Sequence, residues 1–379
     1  MTSTFDITLV TDRREFDTLA ESWQTLADSS PTASVFSTWY WISAWWKHFG
    51  DGVSPFIIVA RDTEGNLVGV APLVRHRRGP FRVLKFLGAP HSDYHEFLFR
   101  PHEQPLISAA ICKFLLGLRD EWDVWEVNDV TASSPLWPLI EEVFADEFEI
   151  HPLRDITCPY AALPDDWGTF LGGLSRKRGR YIRNRLEYLE RIGVGYRTAT
   201  RKDAITETMD HLYLMHVERW RNRKCLNPVH GVPHFLPFLK EAAMNFNEAG
   251  CLALAEITTG HRPMAIALNF RYKTKVYNYL RGFDIAWHSY SPGLLLDVLA
   301  IKQAIESYCR EYDFARGDED YKRTISNRLR VNRHAFVTRR AKSDLMLAAF
   351  VRSCVVWDKL AHRRGTGRLI RFMSKYSAR

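Results

Sequence analysis

GCLALAEITTGHRPMAIALNFRYKTKVYNYLRGFD, Gly250 to Asp284, is the stretch that decides the fold. It is rich in β-branched, aromatic and other apolar residues, and breaks at Gly260-His261 and near Thr274 divide it into three strands. SPGLLLDVLAIKQAIESYC (Ser291 to Cys309) follows as a helix opened by Ser-Pro, and EYDFARG (Glu311 to Gly317) as a further strand. Three meander strands, a helix and another strand make a mixed, mostly antiparallel sheet covered by helices, the α+β class.

The same order occurs once before. The aromatic helix TWYWISAWWKHFG (Thr38 to Gly50) leads into SPFIIVARDTEGNLVGVAPLVRH, two strands joined at Glu64-Gly65-Asn66, and then into a third strand, FRVLKFLG. A helix from about Glu103 to Leu118 and the strand WDVWEV (Trp122 to Val127) complete the unit. Gly69 to Asp123 spans 54 residues and Pro263 to Asp313 spans 50, so an internal duplication explains both passages. Helices fill the interval: two short ones within Asp165 to Gly193, then Lys202 to Arg223 and Phe235 to Glu248. The boundary falls near Cys158 to Pro164. The expected organisation is a domain over 1–160, a second over 161–330, and a basic helical C-terminal tail over 331–379.

The 379 residues suit two domains, and 46% hydrophobic with 25% charged residues is a globular composition. Apolar runs fall short of the ~20 residues a membrane span needs, and no charged-then-apolar leader opens the chain, so the expected location is cytoplasmic. Six cysteines lie far apart with no C-x-x-C pair, which reads as reduced thiols and no metal site. H-E-x-x-H and P-loop motifs are absent, and Ser175 fails the G-x-S-x-G test because Lys177 replaces the second glycine. The net charge of +8 sits at the end: 331–379 holds 12 Lys and Arg against Asp344 and Asp358. The tail therefore suits an acidic partner or a membrane surface as a peripheral contact, or is a solvated helix face.

Several segments, in order, carry a family resemblance: Trp45-Trp46, GVAPLV (Gly69 to Val74), FLG (Phe86 to Gly88) and Asp93-Tyr94, then LSRKRGRYIRNRLEYLE, ERW (Glu218 to Trp220), RPMAIALNF, YLRGFDIAWHSYSPG and DFARGDEDYK. Over roughly residues 15–330 the chain resembles the CelD-like branch of the GNAT acetyltransferases, which is associated with bacterial cellulose synthesis and is similar to the Fem-type peptidoglycan aminoacyl transferases. The resemblance implies two tandem GNAT folds, the second catalytic and the first structural or acceptor-binding. It also implies an acyl-CoA donor, acetyl-CoA first, and a saccharide or other small-molecule amine or hydroxyl acceptor, in exopolysaccharide or envelope synthesis. The chain departs from the pattern in lacking the Arg/Gln-x-x-Gly-x-Gly/Ala loop of ordinary acetyl-CoA enzymes, and Ile325 stands where an aromatic residue is common.

Acyl transfer from a thioester needs a neutral nucleophile, a path for its proton, donors for the oxyanion and an acid for the thiolate. Tyr290, Ser291, Gly293 and Leu294 open a helix after a strand, a place for a pyrophosphate, with ordinary N-capping as the alternative. By resemblance, Tyr321 on the last strand protonates the thiolate, and Lys322 holds phosphate or oxyanion charge. Asp313, an acid in an apolar strand, is a base or a structural ion pair with Arg316. Glu218, Arg219 and Trp220 on a helix, with Tyr279 and Asp284, line the acceptor pocket; for Glu218 a helix-surface pair is the alternative. The run Arg176, Lys177, Arg178, Arg180, Arg183, Arg185 suits phosphates of a nucleotide-linked substrate or tRNA, or pairs with acids of the domain. Two other functions stay open: a Fem-like transferase using charged tRNA, and a non-catalytic interaction module.

Overall fold

The computed structural model describes residues 5–221, 233–260, 262–340 and 345–363. It divides the chain into two compact units, Met1–Ile156 with Val331–Arg379, and Thr157–Arg330.

The first unit runs β1 (Asp6–Val10), α1 (Arg13–Thr18), α2 (Ala20–Ser29), α3 (Trp39–Phe49), β2 (Ser54–Arg61), β3 (Leu67–Arg78), β4 (Phe81–Phe86), β5 (Leu98–Phe99), α4 (Gln104–Gly117), β6 (Val124–Thr131), α5 (Leu136–Val143) and β7 (Phe148–Pro152). The second runs β8 (Ile156–Ala162), α6 (Trp167–Gly173), α7 (Arg176–Arg191), β9 (Val194–Ala199), α8 (Lys202–Arg221), α9 (Phe235–Glu248), β10 (Leu252–Thr259), β11 (Arg262–Tyr272), β12 (Lys275–Phe283), α10 (Pro292–Glu306), β13 (Glu311–Asp313) and α11 (Asp320–Ile325). β14 (Arg328–Arg339) and α12 (Leu345–Arg363) close the described chain. Three-strand meander, helix, strand is thus the order that recurs in both units, as the sequence predicts, while the strands β1, β8 and β9 that precede the meanders are additions to that reading. Among the described residues no helix is long and apolar enough to cross a membrane.

The expected helical tail needs correcting. Residues up to Arg339 are β14, which pairs with β6 (Val337 opposite Trp125) and with β7 (Val337 opposite Ile150) in the first unit. Ala335, Phe336 and Val337 are buried there, and a strand gives their amides and carbonyls partners that a solvated helix would not. α12 follows and packs Leu347 and Val351 against Val83, Val124 and Phe336.

In the first unit the order is β1-β2-β3-β4-β6-β14, antiparallel except for β4 and β6. α4 lies on it through Ile107, Ile111 and Leu115. The approach is close at Gly69, where a Cβ would stand 2.3 Å from Ile107 Cγ2. Trp41 and Trp45 of α3, one helical turn apart, are fully buried core residues, while Trp39 and Tyr40 are half-buried.

The parallel pair β4–β6 holds for Val83–Lys85 against Val124–Glu126. Beyond it the space is taken by the unit's own chain. From Leu87 to Phe97 every residue except Pro90 is buried. His95 N–H donates to Asp129 O at 2.9 Å, Asn332 donates to Asp93 O at 2.8 Å, and the indoles of Trp41 and Trp45 donate to Ser92 Oγ and His91 Nδ1.

Within this loop, burial pushes the Glu96 carboxyl from 4.5 up to about 7, only partly offset by hydrogen bonds from Ser134 and the Phe97 amide. Between those values the folded state holds a proton that the unfolded state has lost. The contribution is therefore fully present below pH 4.5 and is lost as pH rises through about 7, by about 3 kcal/mol. Glu96→Gln is expected to remove that loss, so urea unfolding at pH 5 and pH 8 should show the variant gaining on the parent at the higher pH. A difference that does not change with pH would contradict this.

In the second unit the order is β8-β13-β12-β11-β10-β9, antiparallel except for β12 and β13. β11 is buried on both faces: Ala265 and Ala267 join a cluster with Leu296 of α10, while Phe270 meets Phe246 of α9 on the other side.

Candidate functional site

The second unit opens where its two parallel strands part. β12 and β13 pair over Lys275–Tyr277 and Glu311–Asp313, and there the pairing stops although β12 runs on to Phe283. A bulge marks the place: Leu268 faces Leu280 and Asn269 faces Asn278, so Tyr279 is the extra residue. Of the predicted acceptor residues, Tyr279 is therefore the bulged one, half-buried with its ring 6.3 Å from that of Phe270.

Past the bulge, Arg281 is buried and ion-paired with Asp297 of α10, itself fully buried. Arg281 Nη1 also donates to Gly293 O at 2.9 Å. Asn278 Nδ2 bridges Asn269 Oδ1 (2.8 Å), Tyr312 Oη (3.1 Å) and Asp297 Oδ1 (3.4 Å). Burial holds the Tyr312 phenol well above its ordinary value, so it stays protonated. Arg281 Nε, in contrast, has no hydrogen-bond acceptor among the described residues. A Cβ placed on Gly293 would stand 3.1 Å from both Arg281 Nε and Cζ, so the guanidinium lies against the first turn of α10 and glycine is what lets it approach. Gly293→Ala is expected to displace it and lower stability by about 1–3 kcal/mol, measurable by denaturant unfolding; an unchanged midpoint would contradict the packing.

Tyr321 does not lie on the last strand as expected; it is in α11, because Ala315 (φ 56°) and Gly317 (φ 112°) turn the chain out of the sheet after β13. Its half-buried ring lies over the Arg281 guanidinium, 3.9 Å from Cζ to centroid. Lys322 is buried and binds that turn: its ammonium donates to Arg316 O at 2.6 Å and pairs with Glu319 at 3.1 Å. Asp313 accepts from the Ala315 amide at 2.7 Å and from Arg330 at 2.6 Å, with Arg330 also gripping Glu311. Arg330 is thus a partner of Asp313 that the sequence reading did not name.

Ser291 is the left-handed N-cap of α10 (φ 53°) and its Oγ meets Tyr181 Oη of α7 at 3.1 Å. Tyr290 stacks on Tyr188 of α7. Pro292 has no amide hydrogen, and the amides of Leu294 and Leu295 both go to Ser291 O. The first turn therefore offers little beyond Gly293 and the neighbouring Arg281 Nε for an anionic group. Asp284 caps the short turn after β12 by accepting from Ala286 N at 2.9 Å. Glu218 is exposed on α8, and the side chains of Arg219 and Trp220 lie outside the described residues. The structure so brings Gly293 and Tyr321 together against Arg281, with Ser291 capping the same helix. Sequence reasoning missed Arg281 and Asp297, although a lone Arg in a buried strand and a lone Asp in GLLLDVLAI are complementary signals.

Residues 176–323 match the acetyltransferase (GNAT) domain family. That span runs from α7 into α11 and holds the whole opening between β12 and β13. No curated protein sequence matches the chain. Among solved structures, FemX is similar at 11% identity over 87% of this chain and 96% of its own, with a TM-score of 0.62. The C-terminal domain (DUF2156) of a putative lysylphosphatidylglycerol synthetase from Agrobacterium fabrum is similar at 10% identity, 89% and 96% coverage and TM-score 0.51. L-PGS from Bacillus licheniformis stands at 10%, 90%, 96% and 0.50. At these identities the likeness is one of fold.

Proposed function

We propose that the chain is an acyl-CoA-dependent acyltransferase of the CelD-like kind, acting in the cytoplasm on an amine or hydroxyl of a saccharide or similar small acceptor, with the second unit catalytic. The observation that carries this reading is the parting of β12 and β13, inside the segment that matches a GNAT domain, with a buried guanidinium nitrogen that has no acceptor among the described residues and lies against the first turn of α10. The corresponding space of the first unit is filled by its own loop, which leaves one donor site per chain.

The donor's pyrophosphate fits against Gly293 and Arg281 Nε, and its acyl arm runs between the strands past Tyr279. The acceptor, as neutral amine or alcohol, attacks the thioester carbonyl. The new C–N or C–O bond forms, the C–S bond breaks, and the thiolate takes the proton of Tyr321 Oη. The acceptor's proton passes to water, and solvent restores the phenol. Asp313 and Lys322 have structural tasks in this scheme: the one ties β13 to Arg330, the other holds the turn that aims α11.

A thermal-shift panel tests the reading. Acetyl-CoA, longer acyl-CoAs or CoA at 100 times Kd should add about 2.7 kcal/mol. Silence toward every CoA with a response to tRNA would replace this reading with an aminoacyl-tRNA-dependent one.

A further inference from the structure

Arg281 meets more partners than donor binding requires. At Nη1 its guanidinium is ion-paired with Asp297 and donates to Gly293 O at 2.9 Å, both on α10. One face of the plane carries the Tyr321 ring, 3.9 Å from Cζ to centroid. Nε lies against Gly293 and has no acceptor among the described residues. A buried N–H without an acceptor is uncommon and costs free energy. A guanidinium tied at one nitrogen, covered on one face and open at another nitrogen is arranged for an incoming acceptor.

Tyr321 depends on that plane for its place. Among the described residues its Oη makes no hydrogen bond, and the polar contact of its ring is the Arg281 guanidinium. α11 is six residues long, Asp320–Ile325, far below the length at which a helix is stable alone. It is held at Lys322, whose ammonium donates to Arg316 O, and at Ile325, which joins the core with Tyr312 and Phe314. These anchors fix the backbone of α11, while the direction of the phenol is set by the guanidinium beneath it.

We propose that Arg281 is a positioning residue for Tyr321, and that it places the acid when a donor phosphate accepts from Nε. The inference rests on the acyl-CoA reading above. With Nε unpaired the guanidinium is held at Nη1 alone; a phosphate oxygen at Nε pins a second nitrogen, which fixes the plane and the ring that lies on it. Binding of the nucleotide end, remote from the thioester, thereby acts at the reacting centre. The site then selects donors by their pyrophosphate. A thioester of pantetheine, with the same acyl arm and no phosphate, binds without placing the phenol.

The test is hydrogen exchange read by mass spectrometry on the full chain, free, saturated with CoA and saturated with pantetheine. CoA is expected to slow exchange of the α11 amides about tenfold, and pantetheine to leave them at the rate of the free protein. Arg281→Lys keeps a cation for Asp297 but has no planar fork, so saturating CoA should give this variant no α11 protection. Tyr321→Leu leaves the Arg281–Asp297 pair in place; it should lose the protection as well, and it decides the question if Arg281→Lys does not fold. In turnover, acetyl-pantetheine is expected to give a kcat about tenfold below that of acetyl-CoA, rather than a higher KM alone. CoA binding that leaves α11 exchange unchanged, equal protection by pantetheine, or protection that survives in the variants overturns this inference and leaves the acyltransferase reading standing. A parent that binds no CoA overturns both.

Discussion

Asp297→Ala is expected to cost about 3–5 kcal/mol of unfolding free energy, the largest stability effect of any change named here. Asp297 is fully buried in α10, and its carboxylate is the ionic partner of Arg281, whose side chain is only 5% exposed. Removing the acid leaves a buried guanidinium without its ionic partner, the circumstance in which breaking a buried pair costs far more than the pair contributes. Asn278 loses an acceptor as well. Denaturant unfolding of the variant reads the loss directly. The partner change adds a discriminating arm: Asp297→Ala with Arg281→Met removes both charges and should recover much of the loss, since hydrophobic replacement of a whole buried pair is often neutral. A single variant as stable as the parent would mean that the two charges are not paired in the folded protein.

Tyr321→Phe is expected to lower kcat by a hundredfold or more, in the range of about 10²–10⁴ for a lost general acid, while the Kd for CoA stays within about twofold. The ring contact with Arg281 survives the change, because phenylalanine keeps the face that lies over the guanidinium. Loss of turnover without loss of donor binding or of stability is thus the signature of a missing proton. A variant that turns over at the parent rate would remove Tyr321 from the chemistry.

The order of elements in both units was legible because the deciding strands are apolar on both faces and end at glycine or polar turns; RPMAIALNF is buried from Met264 to Phe270 and could hardly be anything else. β14 was not legible. RLRVNRHAFVTR carries four arginines in twelve residues, which reads locally as solvated surface, and what makes it a strand is pairing with β6 and β7 some 200 residues away. The same limit applied to the site. Ser291 and Gly293 could be placed at the start of α10 from their Ser-Pro-Gly motif, but the tie between Arg281 and Asp297 crosses from a strand to a helix, and Arg330, which meets Asp313, lies 17 residues on. The positive φ at Ala315 that carries Tyr321 off the sheet left no mark in the sequence, since alanine is not a residue that announces a left-handed turn.

The central claim is that the second unit holds a single acyl-CoA site. Calorimetric titration of the full chain with acetyl-CoA and longer acyl-CoAs measures this most directly, through its stoichiometry. The account predicts saturation at one acyl-CoA per chain. Two sites per chain, or no binding of any acyl-CoA, would contradict it.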